Sequence, residues 1–374
     1  MNKVNVLFDQ QVFWQKYGGI SRVFYELITR IAKYERAELD IFMGVFENRY
    51  GLENFRDDFR NFWGRRASYP TRQWGALRRF MNNRAWSRFK MQTGASGRGD
   101  FVYHPTYYDF DESVAGKKVF TVHDFTHEKA IPATSDHTIA LKKRAFENAS
   151  GLICISESTK RDFLDLYGEN YMDRIKVIHH GYTPMGAMLN AKVPLPRKPY
   201  LLHVGGRDGY KNFICTVRAY AGSVSLRKDF KLVCFGSGPF STSERSIFAE
   251  LGIADDVLYF SGGDDVLATL YKNARVFVYP SLYEGFGLPL LEAMSCHCPV
   301  IAADATSFPE VASDAAAFFD PSSDESLSET LTRVAYDECE INALKVAGES
   351  NCAKFSWDKC ARETYAFYKK VCSA

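Results

Sequence analysis

No apolar run in this 374-residue chain approaches the roughly eighteen residues that a bilayer-spanning helix needs, so no segment reads as a membrane span. The first residues, Met1-Asn2-Lys3-Val4-Asn5-Val6-Leu7-Phe8-Asp9, lack the apolar centre and small-residue cleavage site of a signal peptide and read as a strand. The nine cysteines are an odd number at irregular spacings, and Cys154, Cys215 and Cys234 lie in apolar runs. That pattern is expected of reduced core thiols in a cytoplasmic protein rather than of a disulfide framework. Cys296-His297-Cys298 has no second ligand pair nearby, and ligands so close together wrap one tetrahedral ion poorly, so no zinc is expected. There is no helix-turn-helix, zinc-finger or RNP signature for nucleic acid. Internal repeats and low-complexity tracts are absent too.

What is present suits a soluble globular chain, with 46% apolar and 25% charged residues and a net charge of +2. The length exceeds one ordinary core, so two domains are the default. Charge is balanced overall but one-sided locally. Phe59 to Arg98 holds ten basic residues and no acid, together with three of the five tryptophans, Trp63, Trp74 and Trp86. Two readings stand. Arg65, Arg66, Trp74, Arg78, Arg79, Arg84, Trp86 and Arg88 form a surface for an anionic membrane or a phosphorylated acceptor. Alternatively, the segment is a solvated helical hairpin whose tryptophans face the core.

Short β-branched runs alternate with longer amphipathic ones. Strands are expected at Val4–Asp9, Leu39–Met43, Phe101–His104, Lys118–His123, Gly151–Ser156 and Ile175–His179, with helices between them such as Gly19 to Ala32 and Thr138 to Asn148. Thr183 to Pro199 carries four prolines and reads as a linker. The alternation then restarts at Tyr200–Val204, Lys231–Phe235, Val257–Phe260, Arg275–Tyr279 and Val300–Ala303. The fold class is α/β, two Rossmann-like domains with parallel sheets, over residues 1–185 and 186–355. Ligands of such sheets bind beyond the carboxyl ends of the strands, so an interdomain cleft is expected.

The chemically suggestive segments stand at strand ends. Gly18-Gly19-Ile20 opens a helix, where glycines let backbone amides approach an anion, though a plain turn has the same look. His123-Asp124 is either a polar anchor for a ligand or a structural hydrogen bond. In Gly205-Gly206-Arg207-Asp208-Gly209-Tyr210-Lys211-Asn212, two cations four residues apart suit a pyrophosphate. Gly236-Ser237-Gly238-Pro239 fails as a dinucleotide fingerprint because Ser241 stands at the third glycine position, and Gly205 to Lys211 lacks Walker spacing. Asp109-Phe110-Asp111 has the spacing of a metal-binding pair, which chance also produces. The most informative stretch is Tyr283 to Glu292. Glu284 precedes a glycine-rich turn (Gly285, Phe286, Gly287, Leu288), and Glu292 lies about two helical turns on. By themselves these two glutamates could serve as the acid and base of a glycoside hydrolase.

Taken in order, these segments resemble the family 4 retaining glycosyltransferases of GT-B architecture. Thr121-Val122-His123-Asp124, Ile155-Ser156-Glu157-Ser158-Thr159-Lys160, Lys176-Val177-Ile178-His179-His180-Gly181, Pro309-Glu310-Val311-Ala312 and Phe355-Ser356-Trp357 extend the match nearly end to end. The resemblance implies a C-terminal helix, residues 356–374, crossing back onto the N-terminal acceptor domain. It implies that Glu284 accepts hydrogen bonds from donor-sugar hydroxyls, with backbone contacts from Gly285, Phe286, Gly287 and Leu288, and that Glu292 holds the ribose. Arg207 and Lys211 would bind the pyrophosphate with Gly19, Gly206 and Gly236 at hand, and His123 would lie near the reacting sugar. No metal or other cofactor is implied. The expected reaction is retaining hexosyl transfer from a nucleotide sugar to a glycan hydroxyl. A GDP-mannose-type donor is favoured over a UDP-sugar, and a lipid-linked acceptor at the inner face of the plasma membrane is expected. A nucleotide-sugar epimerase or hydrolase, or a non-catalytic sugar-nucleotide-binding protein, is the alternative. Oligomeric state is not legible.

Overall fold

The computed structural model describes residues 3–34, 37–67, 75–95, 97, 101–129, 136–188 and 192–373. The chain divides into two compact units. The first comprises Met1–His123, Ala133–Gly181 and Trp357–Ala374, and the second comprises Asp124–Pro132 and Tyr182–Ser356. The short segment after His123 thus joins the second unit, where the Phe125 N–H donates to the Tyr283 hydroxyl at 3.2 Å.

The first unit is built on seven strands: β1 (Val4–Phe8), β2 (Ala37–Phe46), β3 (Asn61–Arg66), β4 (Val102–His104), β5 (Lys117–Val122), β6 (Gly151–Cys154) and β7 (Ile175–Val177). All pair in parallel, in the order β3-β2-β1-β4-β5-β6-β7. Strand β3 is a departure from the sequence reading, since it falls inside the basic segment and lies at the sheet edge. Its inner residues pack, with Trp63 stacked on Phe42 at 5.1 Å, while Arg65 and Arg66 are exposed. Charges on an edge strand discourage pairing with another chain, so these two arginines have a structural reason to be there.

The second unit has six parallel strands: β8 (Tyr200–Val204), β9 (Lys231–Phe235), β10 (Val257–Phe260), β11 (Val276–Tyr279), β12 (Val300–Ala303) and β13 (Ala316–Phe319). Their order is β10-β9-β8-β11-β12-β13. Strand β13 was not expected, because Ala-Ala-Phe-Phe is short and carries no β-branched residue. In each sheet the chain winds outward from a central strand, then returns to its other side. The reversals fall between β1 and β4, and between β8 and β11. Such switch points leave a crevice beyond the strands' carboxyl ends.

The C-terminal helix Trp357–Ser373 belongs to the first unit and packs against the helix Gly19–Ile31. Trp357, Cys360, Ala361 and Tyr368 enter the core formed by β1, β2 and that helix. Close approach requires glycine at the start of β6, since a Cβ on Gly151 would lie 2.9 Å from Phe367 and Val371. Tyr368 also bonds the fully buried His104 Nδ1 at 2.5 Å, and His104 Nε2 meets Thr121 Oγ1 at 3.0 Å. Satisfying both ring nitrogens lets an imidazole occupy the sheet interior.

Candidate active site

In the second unit the two strands flanking the switch point supply the central residues. The loop after β8 turns sharply, with Gly205 at φ +109° and Asn212 at φ +53°, and delivers Lys211. A Cβ on Gly206 would stand 3.2 Å from Lys211 Cγ, so glycine there lets the lysine fold back over its own loop. The loop after β11 delivers Glu284. Lys211 Nζ donates to Glu284 Oε1 at 2.5 Å, and the Tyr279 hydroxyl donates to the same oxygen at 2.8 Å. Burial is the largest single influence on Lys211 and opposes its charge, but the Glu284 carboxylate together with Tyr210 holds the ammonium above its ordinary range. Burial also pushes the Tyr279 phenol well up, with the Glu284 charge adding to it.

The main chain of Glu284 is fixed as firmly as its side chain. Its N–H donates to Thr306 Oγ1 at 3.2 Å, and its carbonyl accepts from Ser307 Oγ at 3.1 Å. The glycine turn follows. Gly287 is the N-cap of the helix Leu288–Ser295 at φ +96°, and a Cβ there would lie 2.9 Å from the Phe308 ring. Pro289 in the first turn suits that helix start. Gly285 and Phe286 are buried, Phe286 edge-on to Phe355, and Leu288 is half-buried. Glu292 is half-buried within the helix, and its charge follows burial among the causes that raise the Tyr271 phenol.

Arg207 takes a different direction from Lys211. Its Nε donates to Glu244 Oε1 at 2.5 Å, and its terminal nitrogens donate to the carbonyls of Gly236 at 2.9 Å, Gly238 at 3.0 Å and Pro239 at 3.3 Å. The guanidinium also lies 5.0 Å over the Phe240 ring. Only 5% of the side chain is exposed. The expected convergence of both cations on one point is therefore replaced by two separate ion pairs. Gly236, at φ +92°, begins a run of three left-handed residues with Ser237 and Gly238. A Cβ on Gly236 would be 3.7 Å from the Gly205 backbone, so this loop abuts the one after β8. Beneath them the His203 Nε2–H donates to the Gly206 carbonyl at 3.2 Å, and the ring is pushed down to about 4, mainly by burial, with the nearby Arg207 and Lys211 charges acting the same way against that hydrogen bond.

The remaining expected site residues lie in the first unit. His123 follows β5, is 7% exposed, and donates its backbone N–H to the Tyr108 hydroxyl at 3.2 Å. Its ring is 6.1 Å from that of His180. Gly19 is the first residue of its helix, and a Cβ there would meet nothing within 4 Å. The fold does not demand glycine at that position. At the β1/β4 switch point Asp9 accepts from Thr106, Tyr103 and Gln11, a saturated network.

The basic segment separates into inward tryptophans and outward arginines. Trp86 is half-buried, 5.0 Å from Phe42, and donates to Asp111 at 2.7 Å. Arg66 pairs with Glu53, and Arg78 lies 4.6 Å over Trp14. Arg79, Arg84 and Arg88 are exposed on the helix Gly75–Thr93, as are Leu77, Phe80, Met81 and Met91. A groove of about 510 Å³ runs along this helix between Trp63, Phe80, Arg84 and Arg88. Trp74 lies outside the described residues. Asp111 is engaged by Lys90, Trp86 and Ser113, which hold its carboxyl down to about 2 against the opposing effect of burial. Asp109 faces Arg144. Among the described residues no group of three or more acids, histidines or cysteines is arranged to hold a metal ion.

Tyr279, Glu244, Thr306 and Ser307 were not anticipated. Of these only Glu244 carried a local signal, the Ser241-x-x-Glu244 capping box that the structure forms.

Comparison with known proteins matches residues 17–184 to the family described as Glycosyltransferase Family 4, and residues 187–350 to Glycosyl transferases group 1. The chain is a glycosyltransferase of GT-B fold whose two halves belong to these families. It is 27% identical to O-antigen chain mannosyltransferase B of Escherichia coli over 391 residues, covering 98% of this chain and 100% of that relative. Sucrose-phosphate synthase from Thermosynechococcus elongatus superposes with a TM-score of 0.73 at 20% identity, over 99% of both chains. Anabaena HepE in complex with UDP-glucose gives 0.70 at 15% identity, over 99% of this chain and 100% of that one.

Proposed function

We propose that the chain transfers a hexose, with retention, from a nucleotide sugar to a hydroxyl of a lipid-linked glycan in bacterial surface polysaccharide synthesis. The observation that carries this reading is the Lys211–Glu284 pair, set at the carboxyl ends of β8 and β11. A cation and a carboxylate fixed side by side suit a ligand with an anionic diphosphate next to a hydroxyl-rich ring. Lys211 and Arg207 would stabilise the charge that grows on the leaving phosphate. Glu284 would hold sugar hydroxyls, Glu292 the ribose, and the amides of Gly285 to Leu288 the donor backbone. Gly19 would offer its backbone amide to the diphosphate. His123 would line the reacting sugar. The leaving phosphate itself would take the acceptor's proton, so the mechanism asks for no enzymic nucleophile and no metal.

GDP-mannose is the favoured donor, supported by the full-length similarity to an O-antigen mannosyltransferase. UDP-glucose comes second, as the ligand of the structurally similar HepE. The exposed arginines and apolar residues of Gly75–Thr93 support peripheral contact with the inner membrane face. A thermal-shift screen against GDP, UDP, dTDP, ADP and their sugars tests the donor, because a ligand that binds only the folded state raises the melting temperature. Stabilisation by GDP-mannose and mannosyl transfer to a lipid-linked glycan are expected. Stabilisation by none of these nucleotides, or sugar conversion without acceptor, would overturn the reading.

A further inference from the structure

The Glu284 carboxylate is used asymmetrically. Both protein donors, Lys211 Nζ at 2.5 Å and Tyr279 hydroxyl at 2.8 Å, fall on Oε1. Among the described residues Oε2 receives no hydrogen bond. The side chain is 17% exposed and Oε2 is not among the buried polar atoms that lack a partner, so that second oxygen is reachable from solvent. Tyr279 is placed to hold this arrangement. It is the last residue of β11, 5% exposed, with its ring 4.8 Å from Phe308 and 5.6 Å from Phe277. A phenol clamped between two rings has little rotamer freedom, so its hydroxyl marks a fixed point.

We propose that Tyr279 is the positioning residue of Glu284: with Lys211 it occupies Oε1 and thereby presents Oε2 to the hydroxyls of the donor sugar. This rests on the reading that Glu284 holds the sugar. Carboxylates left with one anchor rotate about their terminal torsion, which is broad. Lys211 alone is a weak orienting group, because an ammonium is a point charge that either oxygen satisfies equally. The phenol donates one proton in one direction, which breaks that symmetry. Its high resistance to ionisation keeps that proton in place across the working pH range.

The test is Tyr279→Phe in the full chain, with calorimetric affinities for GDP-mannose against GDP and for UDP-glucose against UDP. The variant keeps both ring contacts and the Lys211–Glu284 pair. The expected result is that the extra affinity for the nucleotide sugar falls about tenfold, the scale of one hydrogen bond to a charged group. Nucleoside diphosphate binding should stay within about twofold and the urea midpoint should be retained. Equal loss for both members of a pair, or an undiminished sugar preference, would overturn the assignment. Glu284→Gln separates the two levels of the argument. If it leaves the sugar preference intact, then Glu284 does not hold the sugar and the role of Tyr279 falls with it. If it abolishes the preference while Tyr279→Phe does not, only the positioning role is lost.

Discussion

Arg207 Nε lies 2.5 Å from Glu244 Oε1, across 37 residues of sequence, and the rest of the guanidinium faces the backbone carbonyls of the loop after β9. A cation expected to meet the donor's diphosphate is thus neutralised by the protein itself. Binding the diphosphate would require Arg207 to exchange one anionic partner for another. Glu244→Gln tests this by removing the charge: its single amide oxygen can accept from Arg207 or from the Ser241 N–H of the capping box, which now bond different oxygens of Glu244, but not from both. Removing the charge should tighten GDP or UDP binding roughly fivefold, on the order of 1 kcal/mol of screened Coulomb energy. Unchanged affinity at low salt would mean that Arg207 stays on its loop and serves the fold alone.

Lys211, unlike Arg207, is paired with the carboxylate proposed to hold the donor sugar, Glu284, at 2.5 Å. Lys211→Ala should lower turnover tenfold or more at saturating donor, the order expected for one group that stabilises transition-state charge, with the fold intact. Near-normal turnover would remove Lys211 from that role. The same assay in EDTA should show full activity. Loss of activity there would redirect attention to Asp109 and Asp111.

Acid should destabilise the chain earlier than its carboxylates alone would suggest. His104 is pushed down to about 3 and His203 to about 4, chiefly by burial, and His180 is lowered as well. An unfolded imidazole titrates near 6.5, so below that pH the unfolded chain binds protons that the folded one refuses. The stabilisation is complete above about pH 6.5 and is lost as the pH falls toward 4 for His203 and toward 3 for His104. The limiting slope is about 1.4 kcal/mol per pH unit for each such histidine. Urea titrations at pH 7, 6 and 5 measure it. A flat stability over that range would show that these rings take up protons in the folded state.

Membrane contact is predicted to run through the helix Gly75–Thr93. Binding to vesicles with anionic headgroups should be strong at low salt and weak at high salt, with little partition to neutral vesicles. Arg84→Glu with Arg88→Glu should reduce it at least tenfold, given about 1 kcal/mol for each basic residue near an anionic surface. Equal binding to neutral vesicles, or none to either kind, would assign the exposed arginines to solubility.

Much of this architecture was legible because parallel α/β folds write themselves locally. Tyr200–Val204, Lys231–Phe235, Val257–Phe260 and Val300–Ala303 are strands with the bounds their apolar runs suggest. The turn at Gly285 to Gly287 was equally plain, because only glycine takes the φ of +96° found at Gly287 without strain. Strand β3 was hidden by its composition. Arginines that look like a helical or membrane surface in sequence are, at a sheet edge, what keeps the edge unpaired.

The sequence by itself determined the two parallel sheets, the glycine turns, and the presence of Arg207, Lys211 and Glu284 near strand ends with Glu292 in the helix that follows. Only the tertiary structure decided which charge meets which. Lys211 reaches Glu284 across 73 residues because β8 and β11 are neighbours, and Arg207 reaches Glu244 because β8 also borders β9. Strand order places these side chains, and neither spacing nor composition encodes it. For that reason the opposite partners of two cations four residues apart, and the tyrosine that turns one carboxylate, emerged only from the folded chain.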